Sequence, residues 1–252
     1  MEIASLYNVS YAYHTKSNET LALQNLNIKI FDNEIVGIIG PSGCGKSTIL
    51  SLFSGLICPE NGKVYTQDKL NENFTGYMLQ KDELFPWRNV ISNIMIGCEI
   101  KKEKDKSYAY ELLKKYNLID FAKSFPNELS GGMRQRVALI RTLVLKPSLL
   151  LLDEPFSALD YQTRLDLVED VYFMIKQEKK SAVFVTHDIQ EAISLCDKIY
   201  VLSNRPAHVI KELNLDEINN LSPLKRRETK QFHYYFDIIY ECLKNTMEKQ
   251  NE

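Results

Sequence analysis

The run Gly40-Pro41-Ser42-Gly43-Cys44-Gly45-Lys46-Ser47-Thr48 has the spacing G-x-x-x-x-G-K-[ST], which lets a backbone wrap a chain of phosphates. Its glycines allow consecutive N–H groups to curl toward phosphate oxygens, and the helix that must follow adds the positive end of its dipole. Lys46 would bridge the β- and γ-phosphates of a nucleotide, and the Ser47 hydroxyl would hold Mg2+. A second chemistry-bearing pair, Asp153-Glu154, comes directly after four consecutive leucines, Leu149 to Leu152. Two carboxylates at the end of an apolar strand can divide the work. Asp153 would hold the metal, directly or through water, and Glu154 would act as general base on an attacking water. Together these residues predict Mg2+-dependent hydrolysis of a nucleoside triphosphate.

Such residues need elements to position them. Residues 35–39 are a short continuous apolar run, the pattern of a strand buried on both faces, and they feed the glycine-rich loop and a helical pattern over 46–53. Upstream, strand-like runs at 3–9 and 26–31 flank a polar stretch at 15–20, which predicts a hairpin-like β-layer. From residue 89 to about 146 the period becomes helical, with a mixed-sign charged stretch at 99–106 read as solvated surface. After Pro147, buried-strand signals at 149–152, 182–185 and 199–202, the first two separated by a helix-length segment at 163–180, predict a parallel sheet. Phe232, Tyr235, Phe236, Ile239 and Leu243 recur at helical spacing, so a terminal amphipathic helix should dock on the body. Arg226 and Arg227 are balanced by Glu228, Asp237 and Glu241 and read as a solvated helix face rather than a lipid or nucleic-acid patch.

Composition narrows the partners. The 252 residues are 44% hydrophobic, enough for a sizeable core, and 31 basic against 33 acidic side chains leave a net charge of -2. No global field attracts nucleic acid or anionic lipid, so no nucleic-acid partner is expected. No apolar run approaches the ~18 residues that span a bilayer, and the start Met1-Glu2-Ile3-Ala4-Ser5 lacks the marks of an export signal, so a soluble, unexported chain is expected. Five cysteines without a C-x-x-C spacing argue against a disulfide framework or a zinc knuckle and suit a reducing cytoplasm. Cys44, inside the phosphate loop, is expected to be a target for bulky thiol reagents from which nucleotide protects it.

Between the two motifs lies Leu129-Ser130-Gly131-Gly132-Met133-Arg134-Gln135-Arg136, and here the chain resembles the ATP-binding-cassette (ABC) family, whose signature is L-S-G-G-[QM] at a helix start. Ser130 can cap that helix, and Gly131 and Gly132 leave its first N–H groups bare for a γ-phosphate. The resemblance continues to about Pro206. It implies that Tyr13 stacks on adenine, with Tyr11 a weaker candidate, and that Gln80 reaches Mg2+ and the attacking water. It implies that Ser157-Ala158-Leu159-Asp160 communicates across a dimer and that His187 contacts the γ-phosphate.

The implied fold is α/β: a RecA-like P-loop core with an antiparallel β-subdomain and a helical signature subdomain. We expect a cassette over 1–221, its core formed by 1–84 and 146–221, a helical subdomain at 85–145, and a C-terminal helical extension at 222–252. Two copies would bind head to tail, so that each ATP lies between the Lys46 loop of one chain and Ser130 of the other. Residues 81–90, with Phe85 and Trp87, together with residues 187–192 and 205–206, resemble importer cassettes, and the segments at 84–90, 129–136 and 203–206 in particular resemble the nitrate, sulfonate and taurine branch. The resemblance thus implies a homodimer at the cytoplasmic face of the membrane that docks integral-membrane permease subunits near Gln80 to Val90. An extracytoplasmic solute-binding protein would feed it a small anionic solute. Core burial of Phe85 and Trp87 is the rival for that segment. For the whole chain, the rivals are a soluble cassette ATPase driving a non-transport scaffold, of the iron–sulfur assembly type, and a regulator that never turns over.

Overall fold

The computed structural model describes residues 1–15, 18–67, 74–157 and 159–248; Ala158 of the segment at 157–160 lies outside the described residues. In chain order, two long strands, β1 (Glu2–His14) and β2 (Glu19–Phe31), lead to β3 (Ile35–Ile39), helix α1 (Lys46–Phe53) and strands β4 (Asn61–Thr66) and β5 (Thr75–Met78). Helices α2 (Val90–Ile94), α3 (Ile96–Ile100), α4 (Ser107–Lys115) and α5 (Gly131–Leu143) follow. Then come β6 (Leu149–Asp153), α6 (Tyr161–Gln177), β7 (Ser181–Thr186), α7 (Ile189–Leu195), β8 (Lys198–Leu202), β9 (Val209–Asn214), α8 (Pro223–Arg227) and α9 (Lys230–Glu248).

Two sheets organise these elements. β2, β1 and β4 form an antiparallel layer, and the larger sheet runs β5-β6-β7-β3-β8-β9, parallel throughout except for the antiparallel edge strand β9. All five residues of β3 are buried, as its unbroken apolar run requires of a strand covered on both faces. Successive residues of β6 serve opposite cores: Leu150 and Leu152 pack with α5, α6 and α7, whereas Leu149 and Leu151 pack with α1 and the antiparallel layer. In β2 the alternation is plain, with Leu26, Ile28 and Ile30 buried and Asn27, Lys29 and Phe31 exposed.

Three differences from the sequence reading have physical causes. β1 and β2 run several residues further than the apolar pattern indicates, because Asn8 and Asn25 adopt left-handed backbone (φ 48° and 49°) and the pairing shifts register there. That extension carries Tyr11 and Tyr13 on a continuous strand. β9 escapes detection because its half-exposed residues present neither a buried run nor a clean alternation. Arg226 is not on a solvated face: it is fully buried at 0% exposure. Its guanidinium donates to the carbonyls of Leu221, Ile193, Cys196 and Asn219, lies 3.7 Å from an Asp197 oxygen, and covers the Tyr172 ring. It ties α8 to α7 and the start of β8. Arg227 donates to Ser194 Oγ at 2.9 Å. The predicted terminal helix docks through Phe232, Tyr235 and Ile239, all buried.

A second buried charge sits at the start of α7. Glu191 is 3% exposed and accepts a hydrogen bond from Thr186 Oγ1 at 2.7 Å, with Arg164 3.7 Å away and Asp188 and His187 nearby. Burial pushes its carboxyl up to about 7.

Two predictions follow from these buried groups. Arg226→Ala leaves several buried carbonyls without their donor, and should lower the unfolding free energy in urea by about 3–5 kcal/mol, against about 1 kcal/mol or less for Arg227→Ala. Glu191 has a folded-state pKa raised above its ordinary value of 4.5, so its contribution is complete below that pH and is lost as pH rises through about 7. Glu191→Gln is uncharged throughout and still accepts from Thr186. It should match wild type near pH 4.5 and gain up to about 3 kcal/mol over it by pH 8, a difference that paired urea titrations would read.

Candidate functional site

The site begins where β3 ends. The chain turns through residues 40–45 and enters α1 at Lys46. Gly43 and Gly45 take φ of 72° and 125°, a left-handed backbone that L side chains rarely adopt. A Cβ on Gly45 would also meet Leu23 Cδ2 at 2.9 Å. Lys46 arches back over the loop and donates to the carbonyls of Gly40 (2.9 Å) and Pro41 (3.0 Å). With Gly45 as N-cap, no side chain occupies the first N–H groups of α1, which leaves them to bind an anion. The loop opens on a cavity of about 410 Å3, within the range of small-molecule sites, to which Ser42, Gly43, Gly45, Lys46, Ser47 and Thr48 contribute.

The cavity also has an acidic side, to which Asp153 and Glu154 contribute, and Gln80 lines it too. β6 neighbours β7, which neighbours β3, so the carboxyl ends of three parallel strands converge at the loop. Burial pushes the Asp153 carboxyl up, while hydrogen bonds from Ser47 and Tyr77 pull it back. Tyr77 Oη donates to Asp153 Oδ2 at 3.3 Å, and burial beside that carboxylate holds the phenol well above its usual range. Ser47 and Asp153, with the Gln80 amide across the cavity, form the hard oxygen donor set that suits Mg2+. Glu154 has φ of 43°, a strained value for a non-glycine residue that the Glu154 N–H to Val185 carbonyl bond (2.9 Å) helps hold. Its Oε2 lies 3.0 Å from His187 Nδ1 and 3.5 Å from Gln80 Nε2, which also donates to Ser157 Oγ. Three residues named from the sequence as catalytic therefore meet at one carboxylate oxygen.

Other expected contacts lie elsewhere on the chain. Tyr13 stands 43% exposed at the cavity, its hydroxyl 2.9 Å from Thr48 Oγ1 and its ring edge-on to Tyr11. Ser130 caps α5 by accepting from Met133 N, and Asp160 caps α6 by accepting from Thr163 N. A Cβ on Gly131 would lie 2.8 Å from Leu159, and one on Gly132 3.1 Å from Thr163, so the signature glycines pack against the start of α6. None of Ser130, Gly131, Gly132 and Asp160 lines the cavity. Gly40 and Pro41 serve it through carbonyls. Cys44 corrects an expectation: its thiol is buried, packs beneath Gly40 and has its pKa raised by that burial. Cys58 is the exposed cysteine, and a thiol reagent should meet it first.

Several positioning residues escaped the sequence reading. Asn93, fully buried, accepts from Phe85 N and donates to the carbonyls of Phe85, Arg88 and Asn89, fixing the turn that presents Phe85 and Trp87. Trp87 is 70% exposed, which removes the core reading for this residue. Arg134 binds Asp82, and Arg141 donates to the carbonyls of Asp82 and Glu83, so the segment after Gln80 is fastened to α5. Arg205 lines the cavity and donates to the Gly43 carbonyl. An asparagine or arginine binding backbone carbonyls leaves no periodic trace, which is why pattern reading passes over it.

The comparisons with known proteins accord with this geometry. A family model described as ABC transporter matches residues 23–157. The uncharacterized ABC transporter ATP-binding protein YtlC of Bacillus subtilis is 41% identical over 99% of this chain and 98% of its own. The aliphatic sulfonates import ATP-binding protein SsuB of Bacillus anthracis is 38% identical over 90% of both chains. Among solved structures, the ATP-binding cassette MJ0796, a dimer in a post-hydrolysis state bound to ADP and Pi, superposes with a TM-score of 0.71 at 31% identity, covering 84% of this chain and 99% of that one. With a family model spanning more than half its length and such relatives along nearly all of it, the chain belongs to the ABC transporter family, as one of its ATP-binding, ATP-hydrolysing subunits.

Proposed function

We propose that this chain is the ATPase of an importer, working as a homodimer on the cytoplasmic face of the membrane beneath integral-membrane permease subunits. A small anionic solute of the sulfonate, taurine or nitrate kind, delivered by an extracytoplasmic binding protein, suits this reading, since the SsuB relative is named for the import of aliphatic sulfonates. The observation that carries the catalytic part is the convergence of Gln80 and His187 on Glu154 at the rim of a phosphate-loop cavity.

In this account the loop N–H groups and Lys46 bind the β- and γ-phosphates, and Tyr13 stacks on adenine. Ser47, Asp153 and Gln80 would hold Mg2+, which would neutralise charge as it develops on the phosphates. Glu154 accepts the proton of the attacking water as its oxygen bonds to the γ-phosphorus and the bond to the β–γ bridging oxygen breaks, releasing ADP, with the carboxylate aimed by the left-handed backbone and by Gln80. His187 orients Glu154 and reaches the γ-phosphate. Because Ser130, Gly131 and Gly132 stand away from the cavity of their own chain, the partner copy supplies them, and Asp160 lies beside that junction. ATP is then the differential contact that favours the closed pair, and hydrolysis removes it.

Glu154→Gln should keep ATP affinity, lose turnover by ~10²–10⁴ and accumulate as an ATP-held dimer on size-exclusion chromatography. Turnover within a few-fold of wild type would remove Glu154 from the role of base. Phe85 and Trp87, with ring centroids 5.1 Å apart beside Gln80, would receive a helix of the permease. Trp87→Ala should therefore leave the melting temperature of the isolated subunit nearly unchanged while co-purification of the permease drops, an anchor of this kind contributing about 2 kcal/mol or more. Normal assembly of that variant would refute the docking role.

A further inference from the structure

A phosphate loop that turns its N–H groups toward the ligand turns its carbonyls away, and each outward carbonyl needs a donor to hold its peptide plane. In this loop the carbonyls of Gly40 and Pro41 are held by Lys46, and that of Gly45 by the N–H of Ile49 at 3.1 Å. The carbonyl of Gly43 is held by Arg205 Nη2. Gly43 is where an outside clamp matters most, since it has no side chain, takes φ of 72°, and, apart from the adjoining Ser42 and Cys44, only the Arg205 guanidinium comes within 4.0 Å of where its Cβ would be. Arg205 also brings a second cation, beside Lys46, to a cavity otherwise lined by Asp153 and Glu154.

The turn that carries Arg205 is itself tied on two sides. Ser203 Oγ accepts from His208 N at 3.0 Å and donates to the Asn204 carbonyl at 2.8 Å, closing the turn. Ala207 N donates to the Ala22 carbonyl and Gln24 N to the Ala207 carbonyl, joining the turn to the stretch of β2 whose Leu23 faces Gly45. On the other side, Asn204 Nδ2 donates to the Thr246 carbonyl at 2.6 Å, in the last turns of α9. The last turns of the C-terminal helix thus touch the residue next to the clamp.

We propose that Arg205 is a positioning residue of the nucleotide site, clamping the Gly43–Cys44 peptide of the phosphate loop, and that α9 sets this clamp through Asn204. The inference rests on the ATPase reading of the site. A peptide held in one orientation serves bound ATP and the transition state alike, so losing the clamp weakens affinity and leaves the chemical step alone.

The full-length chain, titrated with MgATP by calorimetry and assayed for steady-state ATPase activity, tests this. Arg205→Ala should raise the Kd and KM for ATP about tenfold, as loss of a charge-assisted hydrogen bond does, with kcat within about twofold. Its nucleotide-free melting temperature should not move, because the side chain is exposed. Arg205→Lys should recover part of the affinity, since an ammonium can still donate to the carbonyl. Asn204→Ala, which leaves the loop and its ligands untouched, should raise KM in the same sense by about threefold, the effect of losing one neutral hydrogen bond. Lys46→Ala, expected to weaken ATP binding outright, is the reference. If Lys46→Ala binds poorly but Arg205→Ala binds ATP as wild type does, or loses kcat at constant KM, the clamp is overturned. Unchanged KM in Asn204→Ala overturns the part assigned to α9. Normal binding by Lys46→Ala would instead remove the nucleotide site on which the inference stands.

Discussion

Everything in this molecule answers to one electrostatic constraint: a chain of phosphates must be surrounded by backbone N–H groups and a lysine without burying uncompensated charge. The loop at 40–48 meets it only because Gly43 and Gly45 can take left-handed φ and because Lys46 has carbonyls to span. A loop so bent needs rigid supports. β3, buried on both faces, fixes its start, α1 fixes its end, and Leu23 of β2 presses on Gly45. The parallel order β6-β7-β3 then delivers Asp153, Glu154 and His187 to the same edge, since parallel strands present their carboxyl ends together. The position of the base follows from that of the loop.

The signature residues are committed elsewhere in their own chain, with Ser130 capping α5 and both glycines packed against the beginning of α6. Arg134 and Arg141 tie α5 to Asp82 and Glu83, directly after Gln80. The segment after Gln80 therefore joins the helix that carries Ser130 to the turn, set by Asn93, that exposes Phe85 and Trp87. One short segment of hydrogen-bonded backbone thus runs from the phosphate-loop cavity to the exposed aromatic pair.

What the amino-acid order reveals, and what it hides, divides along physical lines. Strands buried on both faces, such as β3 and β6, are legible because an unbroken apolar run has few other homes, and the phosphate loop is legible because its glycines answer a backbone requirement. The length of β1 is hidden by a bulge at Asn8, and β9 by its half-exposure. Arg226 misleads because charge reads as solvation until the surrounding carbonyls are seen, and Cys44 because neighbours in a loop can point to opposite sides. The loop at 40–48 and Gln80, Asp153, Glu154 and His187, which the fold gathers at or beside the cavity, were within reach of motif reasoning. The holding roles of Asn93, Arg141 and Arg205 were not, even though 203–206 resembles a family pattern, since binding carbonyls from distant segments imposes no local spacing.

On the proposed reading one chain holds only half of the catalytic site, and Ser130→Arg is the decisive variant, because Ser130 lines no part of its own chain's cavity. It should bind ATP with wild-type affinity in equilibrium titration, which also reports an intact fold, yet neither dimerise with ATP nor hydrolyse it. Normal ATP binding with turnover within a few-fold of wild type would instead place the whole reaction inside a single chain.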